Sequence, residues 1–423
     1  MARAMSRTTL TILTLGLMTS ACTSRIDPSE GADATGEEDT SSSATAGEPA
    51  SASGADETGG ENTLCGNGIL DEDEDCDDGN LEDADGCNVD CRVSGSVVWT
   101  VDFEAEEGSR SASSVAVDSR DFITMATSHR NPETVEIRVH HLDTDGVEQW
   151  TDAVPDGAWI GDLDTRPDDR IVVVGSSFDA AQGLLSLWIQ HYATDGAIEQ
   201  TFGAPGDGLN AVAITPAGAL LTGGLAQLLA LDPDPLWSRG VGYEIEGIAA
   251  APNGGFVVVG HTGYDTGHIA WYEDWSARSG PSWSIDDPQS LNTDVALDSQ
   301  GNIIVASERS EGGPPESVWV HKLAPDGSVL WQARPAEDGW NGPSGIAVAV
   351  DSHDRIVVAG HIPNGLDTNP WVGKLGPDGE PLWTFTIDDG EDGQARGVAI
   401  NSQDEIVFTA RVGSRGRLTK LTP

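Results

Sequence analysis

A strand, a tight turn and a second strand recur along this chain from residue 114 onward, and that repetition narrows its folding options more than any other property. Copies open at Ser114-Val115-Ala116-Val117-Asp118, Gly161-Asp162-Leu163-Asp164, Ala211-Val212-Ala213-Ile214 and Gly247-Ile248-Ala249-Ala250. Three more open at Asp294-Val295-Ala296-Leu297-Asp298, Ala347-Val348-Ala349-Val350-Asp351 and Gly397-Val398-Ala399-Ile400. Short apolar alternations broken by Gly, Asp and Pro are strand and turn signals. A single such unit cannot bury its own apolar face, whereas stacked neighbours bury one another's.

The second half of each unit is another hairpin, clearest from Trp319 to Trp331 through the turn Pro325-Asp326-Gly327. It recurs from Trp371 to Trp383 and from Trp188 to Phe202, more loosely from Ile137 to Trp150, and in degenerate form from Leu228 to Trp237 and from Trp271 to Trp283. Asp-Gly between alternating runs marks a hairpin, because glycine takes the positive φ that the turn needs. Four strands in units of roughly 35 to 52 residues fit a β-propeller rather than a sandwich or a helical solenoid.

The two ends of the array complement each other. The last copy stops at Arg417–Pro423 one strand short, and Ser94-Gly95-Ser96-Val97-Val98-Trp99 matches Asp326-Gly327-Ser328-Val329-Leu330-Trp331 without a preceding blade. Pairing them would remove the exposed edges of an open array. The expected fold is therefore all-β, a seven-bladed β-propeller over residues 94–423 whose N-terminal strand completes the last blade.

Upstream, residues 63–93 hold Cys65, Cys76, Cys87 and Cys91 with almost no apolar content, so covalent staples must hold them. Four cysteines allow three pairings, and spacing does not choose among them. Asp77, Asp78, Asn80, Asp83 and Asp85 surround glycines in the manner of turn-borne oxygen ligands, a candidate calcium site set against a solvated acidic surface held by Asx turns, and no other cofactor is expected. Residues 22–62 are rich in Ser, Ala, Gly, Thr and Glu with no aromatic residue, the composition of a disordered tether. Residues 1–21 read as an export signal, with Arg3 and Arg7 before a short apolar run that is too brief to span a bilayer.

Three resemblances follow from these residues. Thr19-Ser20-Ala21-Cys22 resembles a bacterial lipobox, with Thr19 in place of the usual leucine-type residue, which implies lipidation at Cys22. Cys65-Gly66-Asn67-Gly68, Asp75-Cys76-Asp77-Asp78-Gly79-Asn80 and Asp83-Ala84-Asp85-Gly86-Cys87 closely resemble the short cysteine-rich repeat of myxobacterial surface proteins. The propeller units resemble the delta-60 or SBBP-like bacterial repeats, most nearly at residues 194–203, and the Asp-Gly-x-x-x-Trp ending is similar to quinoprotein-type repeats.

Charge excludes some functions. Seventy acidic side chains against 22 basic ones give a net charge of -48, which repels phosphate backbones and anionic lipid headgroups. No nucleic acid partner is expected, and the lipid anchor is the only expected membrane contact.

The connections between second and third strands and between blades are expected to be long and to share one face. Function usually sits on such loops, so that face should carry the binding residues, foremost Trp159, His261, Trp340 and His361. His261 and His361 share a repeat position and could flank a metal, although no third ligand is evident. The repeating Trp99, Trp150, Trp237, Trp283, Trp331 and Trp383 are read as packing between blades, and His141, His191, Lys322, Lys374 and Lys420 as structural residues on strand surfaces. No catalytic constellation stands out. The expected function is a non-enzymatic binding or scaffolding lipoprotein, monomeric, at the outer membrane or cell surface, engaging a protein or glycan; the alternative is a calcium-dependent hydrolase or lyase at the channel mouth.

Overall fold

A computed structural model describes residues 65–423 apart from 72–73, 105–108, 131–134, 155–157, 180–183, 207, 233, 264–265, 276–279, 310–316, 336–346 and 366. The expected signal segment, the lipidated Cys22, the tether and Trp340 lie outside the described residues.

Among the described residues the fold is all-β, and the strands group into antiparallel sheets around an axis. Four sheets are meanders of four consecutive strands. They run from Ser109–Val117 to Glu148–Ala153, from Ala158–Thr165 to Ile198–Pro205, from Ser290–Leu297 to Val329–Ala333, and from Ala347–Val350 to Pro381–Thr386. A fifth has three strands from the C-terminus, Gly393–Ile400, Ile406–Val412 and Arg415–Leu421, completed by Val97–Phe103 from the start of the array. Val101 pairs with Leu418 and Phe103 with Gly416, so the two ends of the array do complete one sheet.

The expectation of seven separate blades is corrected. Five stand as four-stranded blades, and the third and fourth repeat units share one six-stranded sheet from Leu209–Ile214 to Trp283–Pro288. The reason lies in the degenerate third unit, where Leu220–Asp232 and Asp234–Ala250 each run through two repeat positions without a break. The register slips between Leu225 and Gln227. Across that slip the faces exchange: Leu221 packs with Leu228 and Ala230, while Leu220 packs with Leu229 and Leu231. An uninterrupted strand would put Leu221 and Leu229 on the same face. The segment therefore keeps the side-chain pattern of two strands without the loop that would separate them, even though Gly223 and Gly224 precede the slip.

Successive sheets pack through apolar layers. Ala126, Val139, Leu163 and Val173 join the first blade to the second, and Phe103, Met125, Val407 and Leu418 join the last to the first. The repeating tryptophans lock these layers from outside. The indole N–H of Trp99, Trp150, Trp237, Trp283 and Trp331 each donates to a carbonyl in a turn of the next unit, at Thr144, Thr194, Trp275, Pro325 and Pro377, over 3.0–3.1 Å. The repeated basic position is buried at His141, Lys322, Lys374 and Lys420 and half-buried at His191, which corrects its placement on a strand surface. Lys322 meets Asp298 at 3.0 Å, Lys374 meets Asp351 at 2.9 Å, and Lys420 meets Glu405, each acid coming from a tight inner turn. A buried ammonium requires such a partner.

In the cysteine module the pairs are Cys65–Cys91 and Cys76–Cys87, with Cα–Cα distances of 5.6 and 5.7 Å. The module runs directly into ring closure: the Thr422 hydroxyl donates to the Val93 carbonyl at 2.9 Å, and Thr422 N–H to the Ser96 carbonyl at 2.9 Å.

Candidate functional site

The innermost strands are irregular in a repeated way. Their register slips between Ala112 and Val115, Ile160 and Asp162, Leu209 and Ala211, Ile245 and Gly247, Asn292 and Asp294, and Ala395 and Gly397. A bulge leaves a residue out of the ladder and bends the strand, which re-aims its side chain. The unpaired residues Ser113, Gly161, Asn210, Glu246, Thr293 and Arg396 all line one axial cavity of about 490 Å³. His261 and Glu308, from the ends of second strands, line it too. Nearer the tight turns a second cavity of about 400 Å³ is lined mainly by Val, Ala and Ile, and Asp162 and Asp294 line both.

Three half-buried carboxylates act as fasteners between innermost strands. Asp162 accepts the Ser114 hydroxyl at 2.6 Å and Val212 N–H at 3.0 Å. Asp164 accepts Ile214 N–H at 3.0 Å, and Asp294 accepts Val348 N–H at 2.8 Å. Burial raises their pKa values, to about 6 for Asp162 and about 7 for Asp164 and Asp294, against the opposing effect of these hydrogen bonds.

At the mouth, Glu244, Glu246 and His261 bring their ligand atoms within 4.8 Å of one another. Glu244 is the cross-strand partner of His261, and the Asn210 amide donates to Glu244 Oε1 at 3.4 Å. The Glu246 contact raises the His261 pKa against burial, which lowers it. Arg396 makes no ion pair among the described residues, and its Nε is buried without an acceptor there. Burial and the neighbouring Arg411 lower its pKa. The mouth thus holds a carboxylate–imidazole group and an uncompensated guanidinium in one cavity.

The binding-face residues expected from sequence divide. His261 lines the cavity. Trp159 is 47 % exposed and does not line the cavity, although the next residue, Ile160, does. His361 is corrected: it is 2 % exposed within the strand Ile356–Asn364, and the acidic donors grouped with His261 are Glu244 and Glu246. Two connections on this face are short: Gly413 and Ser414 alone join the last two strands, and Gln289 alone joins Trp283–Pro288 to Ser290–Leu297. Glu246 and Arg396 were not singled out from sequence, because a bulge one residue long leaves no mark on an alternating pattern, and Glu244 and Glu308 read as ordinary paired strand residues.

In the cysteine module the oxygen donors hold backbone. Asp77 accepts N–H groups of Asn67, Gly68 and Gly79, Asp78 that of Asn80, and Asp83 that of Val89. Asn80 donates its amide to Asp85 at 3.0 Å. These contacts lower the Asp77 pKa in spite of desolvation.

No protein-family model matches the sequence, and no curated protein matches it. Solved structures that resemble the fold include the Dos1 propeller, at TM-score 0.49 and 10% identity over 75% of this chain and 94% of that one. BamB from Moraxella catarrhalis gives 0.45 and 14% over 78% and 97%. Sqt1 from Chaetomium thermophilum gives 0.49 and 12% over 78% and 99%.

Proposed function

We propose that this chain is an exported, Cys22-lipidated binding or scaffolding module that docks a protein or glycan over the bulge-lined mouth of its propeller channel, with the seven sequence repeats contributing one innermost strand segment each. The observation that carries this reading is the cavity of about 490 Å³ with the unpaired Arg396 inside and the exposed Trp159 next in sequence to its lining residue Ile160. An exposed aromatic side chain offers contact area, and a guanidinium without a carboxylate is available to an acidic group of the partner. The channel carboxylates Asp162, Asp164 and Asp294 are engaged by backbone N–H groups, which supports a structural rather than catalytic use of them.

The test is capture from the cell surface with the purified chain as bait. One saturable partner is expected, retained by wild type and lost with Trp159→Ala and with Arg396→Ala. Retention by both variants would place the docking face elsewhere. One observation favours the second reading, a cation-dependent hydrolase or lyase at the same mouth: Glu244, Glu246 and His261 form a donor group open to the cavity. Turnover of an ester or uronide by wild type that depends on an added divalent cation, lost in Glu246→Gln, would establish it.

A further inference from the structure

The register of the innermost strand Asp234–Ala250 explains how three donors meet at the mouth. Glu244 pairs with His261 and Ile245 with Gly260, and then the slip to Gly247–Val259 leaves Glu246 outside the ladder. Gly260 is required for this approach, because a Cβ there would lie 1.8 Å from the Glu244 carbonyl oxygen. A neighbouring innermost strand contributes Asn210, whose amide holds Glu244. The donors are therefore positioned by two strands, a bulge and a neighbour, and they do not sit on a loop.

We propose that Glu244, Glu246 and His261 form a binding site for a zinc-class divalent cation at the channel mouth. Two ligand atoms on a tetrahedral ion with bonds of about 2.0–2.1 Å stand about 3.3 Å apart. His261 Nε2 and Glu246 Oε1 are 3.4 Å apart. That separation is long for a charge-assisted hydrogen bond of about 2.7–2.9 Å, and it suits two ligands of one ion. Glu244 supplies the third donor within the same 4.8 Å group, and the adjoining cavity has room for a fourth ligand, a water or a group brought by a partner. Imidazole selects the ion: calcium and magnesium take oxygen ligands, whereas zinc takes nitrogen and carboxylate oxygen together. The site is thus distinct in chemistry from the calcium expected in the cysteine module.

The second described group with mixed donors, Asp351, His353 and Asp404, differs in kind. Asp351 is paired with buried Lys374, and Asp404, from the tight turn of the next blade, accepts both Ser352 and His353. It serves as the internal control.

The inference stands apart from the docking reading, since metal uptake is read at Glu246 and partner capture at Trp159. The experiment is calorimetric titration of the purified full chain with zinc chloride in excess calcium, on wild type, Glu246→Gln, His261→Ala and His353→Ala. Wild type and His353→Ala should show one tight equivalent. Glu246→Gln should weaken it at least tenfold, and His261→Ala should remove it together with the visible absorption of the cobalt-loaded protein. Should His261→Ala lose its native thermal transition, the near-isosteric Glu246→Gln decides the matter. An unchanged isotherm in Glu246→Gln, displacement of zinc by calcium, or no tight uptake by wild type would overturn the proposal. If Trp159→Ala abolishes partner capture and leaves the zinc isotherm intact, the two sites are separate; failure of capture alone says nothing against the metal.

Discussion

Ser402 and Asp121 are 281 residues apart in sequence, yet the Ser402 hydroxyl donates to Asp121 Oδ2 at 2.7 Å and its backbone N–H to Oδ1 at 2.8 Å. The same clasp joins Ser299 to Asp354 and Ser352 to Asp404, and Ser119 N–H reaches Asp169. Each of these aspartates sits in a tight turn at a φ of 60–63°. Asx side chains tolerate that left-handed region better than other non-glycine residues. The Ser402–Asp121 clasp is the one that ties the last blade to the first.

Replacing Asp121 by alanine should therefore cost about 1–2 kcal/mol of stability, the sum of a lost charged hydrogen bond and a strained φ. Asp121→Asn, which tolerates the φ and keeps one acceptor oxygen, should lose less. Urea denaturation of the two variants checks the order, and equal losses would show that the clasp contributes nothing.

Two glycines with the same backbone separate conformational from steric cost. Gly196 and Gly218 both have a φ of 84°. A Cβ at Gly196 would lie 2.7 Å from the Trp150 ring, whereas one at Gly218 would meet nothing within 4 Å. Gly218→Ala should cost about 1–2 kcal/mol, the left-handed penalty alone. Gly196→Ala should cost more, because the Trp150 indole must also give up its seat on the turn and its bond to the Thr194 carbonyl. Trp150 fluorescence should shift in the Gly196 variant only.

Lys374 is fully buried beside Asp351. Asp351→Ala leaves that ammonium without its counter-charge, and loss of about 3–5 kcal/mol is expected. Lys374→Met in the same background should recover part of it, since an apolar side chain of similar length carries no charge to strand. A double-mutant cycle by thermal denaturation reads the recovery; none would mean that the cost of Asp351→Ala comes from its turn hydrogen bonds to His353 and Arg355 instead.

Asp164 has its pKa raised to about 7 by burial, against an unfolded value near 3.8. Between those values the folded state holds more protons than the unfolded one, so the contribution of this group to stability falls as pH rises from about 4 to about 7. Asp164→Asn carries no such proton. The stability of the variant relative to wild type should climb by on the order of a few kcal/mol across that window and then level off. A flat difference between pH 4 and pH 8 would mean that Asp164 titrates normally.

Much of the architecture was legible in residues 94–423. The period-two runs, the Asp-Gly turns and the matching ends at Ser94–Trp99 and Arg417–Pro423 pointed to strands, hairpins and closure, because turn glycines and alternation are local properties. The packing role of the tryptophans was legible for the same reason: Trp99 to Trp383 recur at the repeat period, and in the structure Trp383 lies against Gly95 just as Trp150 lies against Gly196. The merger of the third and fourth units was not legible. Leu225 and Ala226 give no turn signal, and only the exchange of faces between Leu221 and Leu229 shows where the strand turns over.

The candidate site divides along the same line. His261 stood out by type and repeat position, but Glu244, Glu246 and Arg396 read as ordinary members of a strand. The sequence alone determined that the chain is a repetitive all-β array with a stapled N-terminal module, since backbone turns and side-chain alternation are settled over a few residues. Which side chains reach the axis was decided only by the tertiary structure. A bulge is defined by pairing with another strand, and the channel exists only once the innermost strands stand around it.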